Sequence, residues 1–368
     1  MAYSVYHAGV ELTNVVDVRI TKTLNAKSNT VEIILNNYAQ NLVVGGNVLY
    51  KPDDIIKIYA APIVDINNTS HLLGTFNILD ITIQPDNKTV KIKCGDKTYV
   101  MLNKIFVGDE NRTINSLISL IVQRVNQDGS SNGGTVTTHI ATTTSTGGGF
   151  PTIRFASAYK TAYDCIAELS QPENTGDKRT YLFWFDENGE FWWQYPSLVP
   201  VSTFTYGVDP VLAMNVDKTE AESVAMIIYD AGTDKNDTEI VDFYVDPDAG
   251  SIKNKMRYQP MTDISKLLKR QFTNDGTYTA MTNDDFVDYC RAAAIARCTT
   301  IISKIGKGLW QATINVEGAN YATGDLYTVA APAHGFPSSN LRLERVVHTM
   351  NKNGWGTLLT LTQDPAEV

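Results

Sequence analysis

The chain has 368 residues, of which 43% are hydrophobic and 19% charged, and its formal net charge at pH 7 is −9. This length predicts two to four domains with sizeable cores, and the many Tyr, Thr and Asn residues favour β-structure. The acidic balance argues against a protein that binds nucleic acid by neutralising phosphates.

The N-terminal residues and the cysteines indicate where the chain folds. Residues 1–7 lack a basic region followed by an apolar run, so we expect no signal peptide. No apolar run approaches the ~18 residues that span a membrane. Cys94, Cys165, Cys290 and Cys298 form no C-x-x-C pair. We therefore expect small, reduced, buried thiols and a cytosolic folding compartment.

Residues 1–105 are predicted to form a first β-domain. Apolar and polar residues alternate in its first long strand, and turn residues separate the later strands. Strands of this length at this spacing favour an antiparallel barrel or sandwich. The predicted strands cover residues 15–24, 29–36, 55–60, 73–85 and 89–94.

Residues 106–200 are predicted to form an α/β insertion domain. Apolar residues at helical spacing predict a helix from Thr113 to Gln127. The Gly-, Ser- and Thr-rich residues 128–149 follow, and they are too many for an ordinary connection inside a compact domain. We expect a flexible excursion or a two-stranded flap there, without an assigned role.

A helix followed by a hairpin, residues 159–196, closes this middle domain, and we name it the helix–hairpin module. Thr161 is the expected N-cap, with Asp164 in the place of the capping-box acid, and a proline soon ends the helix. Two aromatic strands, residues 181–185 and 190–195, follow. Asn188-Gly189 between them is predicted to supply the positive φ angles of a tight turn.

Residues 201–368 are predicted to form a second β-domain crossed by one long helix. The helix covers residues 284–304, is capped by Thr282 or Asn283, and ends before Gly306. Its predicted buried face comprises Phe286, Tyr289, Cys290, Ala293, Ala294, Arg297 and Ile301. The predicted strands cover residues 221–230, 239–245, 309–316, 325–330, 341–351 and 356–362.

The sequence predicts no catalytic, cofactor-binding or metal-binding residue. Residues 186–190 lack the alternating pattern of a calcium loop and are better interpreted as a hairpin turn. The five histidines are far apart, and no zinc-protease, P-loop or nucleophile-elbow motif is present. An acidic region, more simply explained as solvated loop charges, comprises Asp234, Asp237, Asp246 and Asp248.

Two further groups of residues suggest carbohydrate chemistry without requiring it. Glu168, Glu173 and Asp177 could be imagined as a glycosidase pair, but nothing in the sequence would raise a carboxyl pKa there. The aromatic residues of the hairpin, Trp184, Trp192, Trp193 and Tyr195, could stack on sugar rings. Because both hairpin faces carry aromatic bulk, we expect one face on the domain core and the other on a neighbouring domain or subunit.

The layout resembles the baseplate hub proteins of contractile-tailed bacteriophages, a family that includes the late control protein D group. Three parts of the chain carry this resemblance, which is one of pattern over most of the length. They are residues 29–36 with 54–59, residues 163–169 with 183–191, and residues 321–329 with 341–348 and 354–361.

The resemblance implies an α+β, mostly β fold, with two tail-tube-like antiparallel β-barrels and an α/β insertion between them. It also implies a non-enzymatic homotrimer whose six barrels form a pseudo-sixfold ring. Such a ring would join the tail tube, or a tube initiator, to a separate central spike protein and could contact the tape measure protein. The implied location is the tail baseplate of the virion, where DNA exits without specific binding. The alternative is a carbohydrate-binding adhesin that uses the hairpin 181–195, and a polysaccharide hydrolase is a third.

Overall fold

The computed structural model describes residues 2–24, 29–36, 43–44, 47–48, 50–61, 68, 71–84, 86, 88–127, 137–177, 180–208, 210–219, 225–245, 256–305 and 309–363. The chain divides into two compact units. The first comprises Met1–Val216 and Ala312–Thr362, and the second comprises Asp217–Gln311 and Gln363–Val368. The predicted class, α+β and mostly β, is confirmed. The division into segments 1–105, 106–200 and 201–368 stays a prediction.

The described helices lie in two groups, α1–α4 between β9 and β13 and α5–α6 after β19, and the rest of the described elements are strands or short turns. The strands are β1 (Ala2–His7), β2 (Val10–Glu11), β3 (Val15–Thr23), β4 (Thr30–Asn36), β5 (Val43–Val44), β6 (Asn47–Val48), β7 (Ile55–Ala61), β8 (Leu72–Gln84), β9 (Thr89–Gly95), β10 (Ile105–Thr113), β11 (Thr138–Ile140), β12 (Thr152–Thr161), β13 (Leu182–Phe185), β14 (Phe191–Gln194), β15 (Ser202–Thr205), β16 (Val211–Thr219), β17 (Met226–Thr233), β18 (Glu239–Val245), β19 (Met256–Pro260), β20 (Leu309–Glu317), β21 (Leu326–Ala331), β22 (Phe336–Asn351) and β23 (Gly354–Gln363). The helices are α1 (Thr98–Asn103), α2 (Ile114–Gln127), α3 (Ala162–Leu169), α4 (Pro172–Thr175), α5 (Asp263–Asn274) and α6 (Asn283–Ile305).

One large, mainly antiparallel sheet dominates the first unit. Its strand order is β16-β20-β23-β22-β3-β4-β9-β8-β7-β1-β2, with β15 and β21 branching from β22. The long strand β22 makes this possible, because its C-terminal half pairs with β3 and its N-terminal half pairs with β21. The two predicted β-rich parts therefore share one curled sheet.

Alternation in β3 and β4 places the core of this sheet on one face. Val18, Ile20, Val31, Ile33 and Leu35 are at most 1% exposed, and each such side chain contributes about 1.5–3 kcal/mol of burial free energy. Cross-strand neighbours such as Val18 and Ile33 pack side by side, which fixes the register.

The helix–hairpin module and its neighbours form a second core within the first unit. The ribbon β10–β12 and helices α1, α2 and α3 pack with the small sheet β11-β14-β13 around one apolar cluster. The helix predicted from residue 113 is confirmed as α2, and β12 was not predicted. The prediction of a two-stranded flap is wrong for residues 138–140. These residues form β11, which joins the hairpin sheet by pairing in parallel with β14. Residues 128–136 lie outside the described residues.

The second unit is a three-stranded sheet covered by two helices. The sheet has the order β18-β17-β19, and one face packs on α5 and α6. The long helix is confirmed, and its Thr282 hydroxyl accepts a hydrogen bond from the Asp285 backbone N–H at 3.1 Å. Residues 221–224, part of a predicted strand, and Gly306 lie outside the described residues.

The buried face of α6 agrees with the predicted face at Phe286, Cys290 and Ala294 and differs elsewhere. Tyr289 was predicted to be buried but is 52% exposed. The buried residues step by four along the helix: Phe286, Cys290, Ala294, Cys298 and Ile302. Helix α5 was missed although Ile264, Leu267, Leu268 and Phe272 stand at helical spacing. Among the described helices, no span is long and apolar enough to cross a membrane.

Candidate functional site

The aromatic hairpin β13–β14 turns its inner face to the module core. Phe183, Phe185 and Phe191 are at most 6% exposed, and Trp193 is fully buried. The Trp193 ring stacks on Tyr181 with centroids 4.3 Å apart. Its Nε1 donates to the Ser170 hydroxyl at 2.9 Å, which satisfies the indole inside the core. This face is therefore packing, and no ligand could reach it.

The hairpin turn is held by the side chain of Asp186. Its Oδ1 accepts the backbone N–H groups of Asn188 and Glu190, each at 2.9 Å, and the Gly189 N–H donates to the Asp186 carbonyl at 3.0 Å. The predicted turn and the rejection of a calcium loop agree with this use of the carboxylate. The prediction that Asn188 has a positive φ was wrong, because only Gly189 does, with φ +77°. A turn of this kind needs one left-handed residue.

The outer face of the same small sheet carries a row of three rings. His139, Trp192 and Trp184 are cross-strand neighbours on β11, β14 and β13. The His139 and Trp192 rings stack with centroids 3.9 Å apart, and Trp192 and Trp184 lie 6.1 Å apart and nearly parallel. Glu190 pairs with His139 at 2.8 Å, and Asp186 accepts the Trp192 indole N–H at 3.1 Å.

Three distant parts of the chain meet beside this outer face, at Lys22, Glu187 and Asn320, which we name the hairpin junction. The Lys22 ammonium lies 3.6 Å from a Glu187 carboxylate oxygen and donates to the Asn320 side-chain oxygen at 3.3 Å. The Asn320 amide in turn donates to Glu187 at 3.2 Å. Burial lowers the pKa of Lys22, and the carboxylate of Glu187 partly opposes that shift. The junction joins β3, the hairpin turn and the segment before β21 through a buried ammonium group that a partly exposed carboxylate compensates.

A small cavity of about 60 Å³ lies next to the hairpin junction. Such a volume holds only a few water molecules. Its lining includes Trp184 from the hairpin and Phe76 from β8. Leu182 also packs close to Gly324, 3.0 Å from where a β-carbon would stand. Leu182 and Trp184 on the outer face therefore lie close to residues of the large sheet and its connections, within the same compact unit. The expected contact with a neighbouring domain or subunit stays a prediction.

Of the carboxylates considered as a glycosidase pair, the two that the structure describes, Glu168 and Asp177, are held in other contacts. Glu168 pairs with Lys160. Burial raises the pKa of Asp177, but hydrogen bonds from Ser145 and Tyr181 outweigh it and hold that pKa below its ordinary value. A general acid needs the opposite shift. The side chain of Glu173 lies outside the described residues.

The structure describes two of the four residues of the acidic region, Asp234 and Asp237, and both belong to one turn. Asp234 accepts the backbone N–H groups of Asn236 and Thr238, at 2.7 and 2.8 Å, and so shapes its own turn. Asp237 takes a left-handed conformation in that turn, and Asp246 and Asp248 lie outside the described residues. Within the described part of the chain, no three His, Cys, Asp or Glu side chains are placed to hold a metal ion.

The histidines also lie apart, and His348 is the buried one. Its Nδ1 lies 3.0 Å from the Thr357 hydroxyl and 3.3 Å from the Trp355 indole nitrogen. Burial, together with the nearby charge of Lys22, holds the pKa of His348 well below its ordinary value, so the ring stays neutral.

Sequence reasoning missed the hairpin junction, although one signal for it was present. Lys22 follows Val18 and Ile20 at the inward phase of β3, where a charged residue needs a buried partner. Nothing in the sequence identifies that partner, because Glu187 is 165 positions away and Asn320 is 298 positions away.

Comparison with solved structures places this fold among tail proteins. The 43 kDa tail protein of prophage MuSo2 from Shewanella oneidensis matches with a TM-score of 0.66 at 14% identity, over 99% of this chain and 98% of that protein. A tail protein from Neisseria meningitidis gives a TM-score of 0.64 at 12% identity, over 99% and 96% of the two chains.

A third similar structure comes from a secretion machine. The Escherichia coli protein c3393, described as a type VI secretion component similar to the T4 tail proteins gp27 and gp5, gives a TM-score of 0.50 at 8% identity. The match covers 97% of this chain and 75% of that one. No protein-family model matches the chain, and no curated protein matches its sequence. At these identities the comparisons establish a shared fold.

Proposed function

We propose that the chain is a structural hub in the baseplate of a phage tail or a related contractile injection machine. Three copies would form a pseudo-sixfold ring that joins a hexameric tail tube, or its initiator, to a trimeric central spike. The ring would line the DNA exit channel and would contact the tape measure protein in that position. The protein would reside in the virion and perform no catalysis.

The observation that carries this proposal is the end-to-end match to phage tail proteins. The likeness to the Shewanella protein extends over nearly the whole of both chains, so it concerns the complete arrangement of elements and not one common motif. The net charge of −9 supports the proposal, because a lumen of the same sign as DNA does not retain it.

The hairpin junction supports a structural role for the module. The Lys22–Glu187 pair and the stacked rings use polar and aromatic groups of the hairpin in internal contacts. A glycan platform would instead present open rings with free polar groups around them. This argues for the hub against the adhesin.

The test is the mass and shape of the particle formed when the chain is produced together with the spike protein encoded beside it. Native mass spectrometry should find three 40.6 kDa subunits plus spike, and electron microscopy should find a threefold ring with a central channel. A monomer that does not bind the spike protein but binds a glycan array would overturn the hub proposal. In that case Trp192→Ala should abolish glycan binding while the fold persists.

A further inference from the structure

The second unit exposes an apolar sheet face. Val241, Phe243, Val245, Met256 and Tyr258, which we name the β17–β19 face, are between 43% and 64% exposed. The strand register places them in rows across the sheet, with Val245 and Met256 flanking Met226, and Phe243 and Tyr258 flanking Ile228. Monomeric proteins rarely leave a contiguous apolar surface of this kind open unless something binds it.

This sheet, antiparallel between β17 and β18 and parallel between β17 and β19, carries apolar residues on both faces. The opposite face, with Ile227, Tyr229 and Ile240, is at most 5% exposed and packs on α5 and α6. A sheet with one solvated face would alternate apolar and polar residues. On β18, however, every outward residue from Val241 to Val245 is apolar. The central strand β17 is therefore suited to burial on both sides, with Met226 and Ile228 on one face and Ile227 and Tyr229 on the other.

The rim of the β17–β19 face is acidic. Asp230 and Glu239 lie at one end of the outward rows, and Tyr258 donates its hydroxyl to Asp230 at 3.4 Å. Along the described outward positions of β17, β18 and β19, no Lys or Arg occurs. A protein surface that binds here should be apolar in its centre and carry a cation at its edge.

A surface of that chemistry occurs in the first unit, on the ribbon β10–β12. Ile105, Val107 and Tyr159, which we name the ribbon patch, are 60%, 64% and 90% exposed. Val107 lies at a bulge opposite Tyr159, and the other ribbon face packs Phe106 and Phe155 into the module core.

Arg154 supplies the cation beside the ribbon patch. It lies further along β12 and donates hydrogen bonds from Nε and one terminal nitrogen to the carboxylate of Asp109 on β10. A guanidinium has five N–H donors, so the pairing with Asp109 leaves donors for a second carboxylate. The ribbon patch is thus apolar, and its edge carries the Arg154–Asp109 ion pair, whose guanidinium keeps donors for a carboxylate of the β17–β19 face.

We propose that the β17–β19 face of one copy packs on the ribbon patch of the next copy. This inference rests on the proposed ring, because a closed ring of identical chains needs a heterologous contact, made by two different surfaces. Face-to-face packing of two small sheets would bury both apolar patches. Arg154 of one copy would then meet Asp230 or Glu239 of the other.

Two charge-introducing variants test this contact: Phe243→Asp on the β17–β19 face and Val107→Asp on the ribbon patch. Both positions are exposed, so both variants should fold like the parent protein by circular dichroism. Each alone should weaken assembly at least about 30-fold in native mass spectrometry with co-expressed spike. Mixed together they should form a one-to-one dimer and nothing larger, because each retains the one surface that the other lacks. Ile83→Asp, at a 44% exposed position outside both surfaces, is the matched control and should assemble normally.

The outcomes separate this inference from the proposed function. If both variants form the ring as the parent does, the interface is wrong and the hub stands. If Val107→Asp alone still forms dimers, the β17–β19 face binds the same face of a second copy, and the heterologous contact is overturned. If the parent chain remains a monomer with and without spike, the ring and the interface both fail.

Discussion

Replacing Glu187 with Gln should destabilise the first unit by removing the carboxylate that faces buried Lys22. Unit charges 3.6 Å apart interact by about 4–5 kcal/mol at an effective dielectric constant of ~20. The Glu187 side chain is 28% exposed and Asn320 remains as an acceptor, so we expect a net loss of about 2–3 kcal/mol. Urea unfolding followed by tryptophan fluorescence measures this loss.

Alkaline pH should reduce the effect of Glu187→Gln. Burial lowers the folded-state pKa of Lys22, and removing Glu187 lowers it further. An unfolded lysine titrates near ~10.4, so between the lowered folded-state pKa and that value the unfolded chain binds more protons. The free energy of unfolding therefore rises with pH across this window, and it rises more steeply in the variant than in the parent. The difference in stability between parent and variant should be smaller at alkaline pH than at neutral pH.

Glu32→Gln is the matched control for this substitution. Glu32 pairs with Lys91 at only 2.9 Å, but their side chains are 44% and 28% exposed. An exposed pair contributes about 0–1 kcal/mol despite its shorter distance. If Glu187→Gln costs no more than Glu32→Gln, or if its cost is independent of pH, burial of the hairpin junction does not have the energetic role assigned to it.

Three further substitutions test other parts of the fold. Trp193→Ala should cost about 3–5 kcal/mol in urea unfolding, because a fully buried ring and its bond to Ser170 are lost; a cost below ~1 kcal/mol would contradict its place in the core. Gly232→Ala should loosen the second unit selectively in hydrogen exchange, since φ is +96° and a β-carbon would stand 2.1 Å from the Ser265 hydroxyl; equal exchange in both units would refute this. The lowered pKa of buried His348 means that the unfolded chain alone gains a proton near pH ~6.5, so stability should fall on acidification through that pH. His348→Gln should flatten that fall, and an unchanged slope would assign it to other groups.

The secondary structure that periodicity describes well was predictable from the sequence. The helix–hairpin module is the clearest case, because the cap, the apolar stripe and the turn glycine are all local signals. Thr161 Oγ1 accepts the Asp164 N–H at 3.1 Å, as the capping-box pattern predicted. The failures occur where local propensity gives no preference. Strand β12 was missed because its residues show no clear alternation, and it is fixed by pairing with β10.

Long-range contacts were not predictable in the same way. The continuity of the large sheet depends on β22 crossing from β21 to β3, a pairing between residues more than 300 positions apart. Neither strand encodes its partner, since apolar alternation is the same in every strand of the sheet. The inward phase of Lys22 indicated a buried charge, but only the tertiary structure identifies Glu187 as its partner.

The Trp-rich hairpin shows why composition alone gives a weak guide to function here. Aromatic residues in adjacent strands suggest a ligand platform, yet Trp193 is fully buried and Trp184 lines the cavity against the large sheet. The surfaces left open are elsewhere, on Phe243, Tyr258 and Tyr159, and they are apolar sheet faces that small polar ligands would not recognise. Flat apolar faces of this kind suit contacts with other proteins, as the proposed ring requires. For that reason the assembly experiments with Phe243→Asp and Val107→Asp are more informative than any search for a substrate.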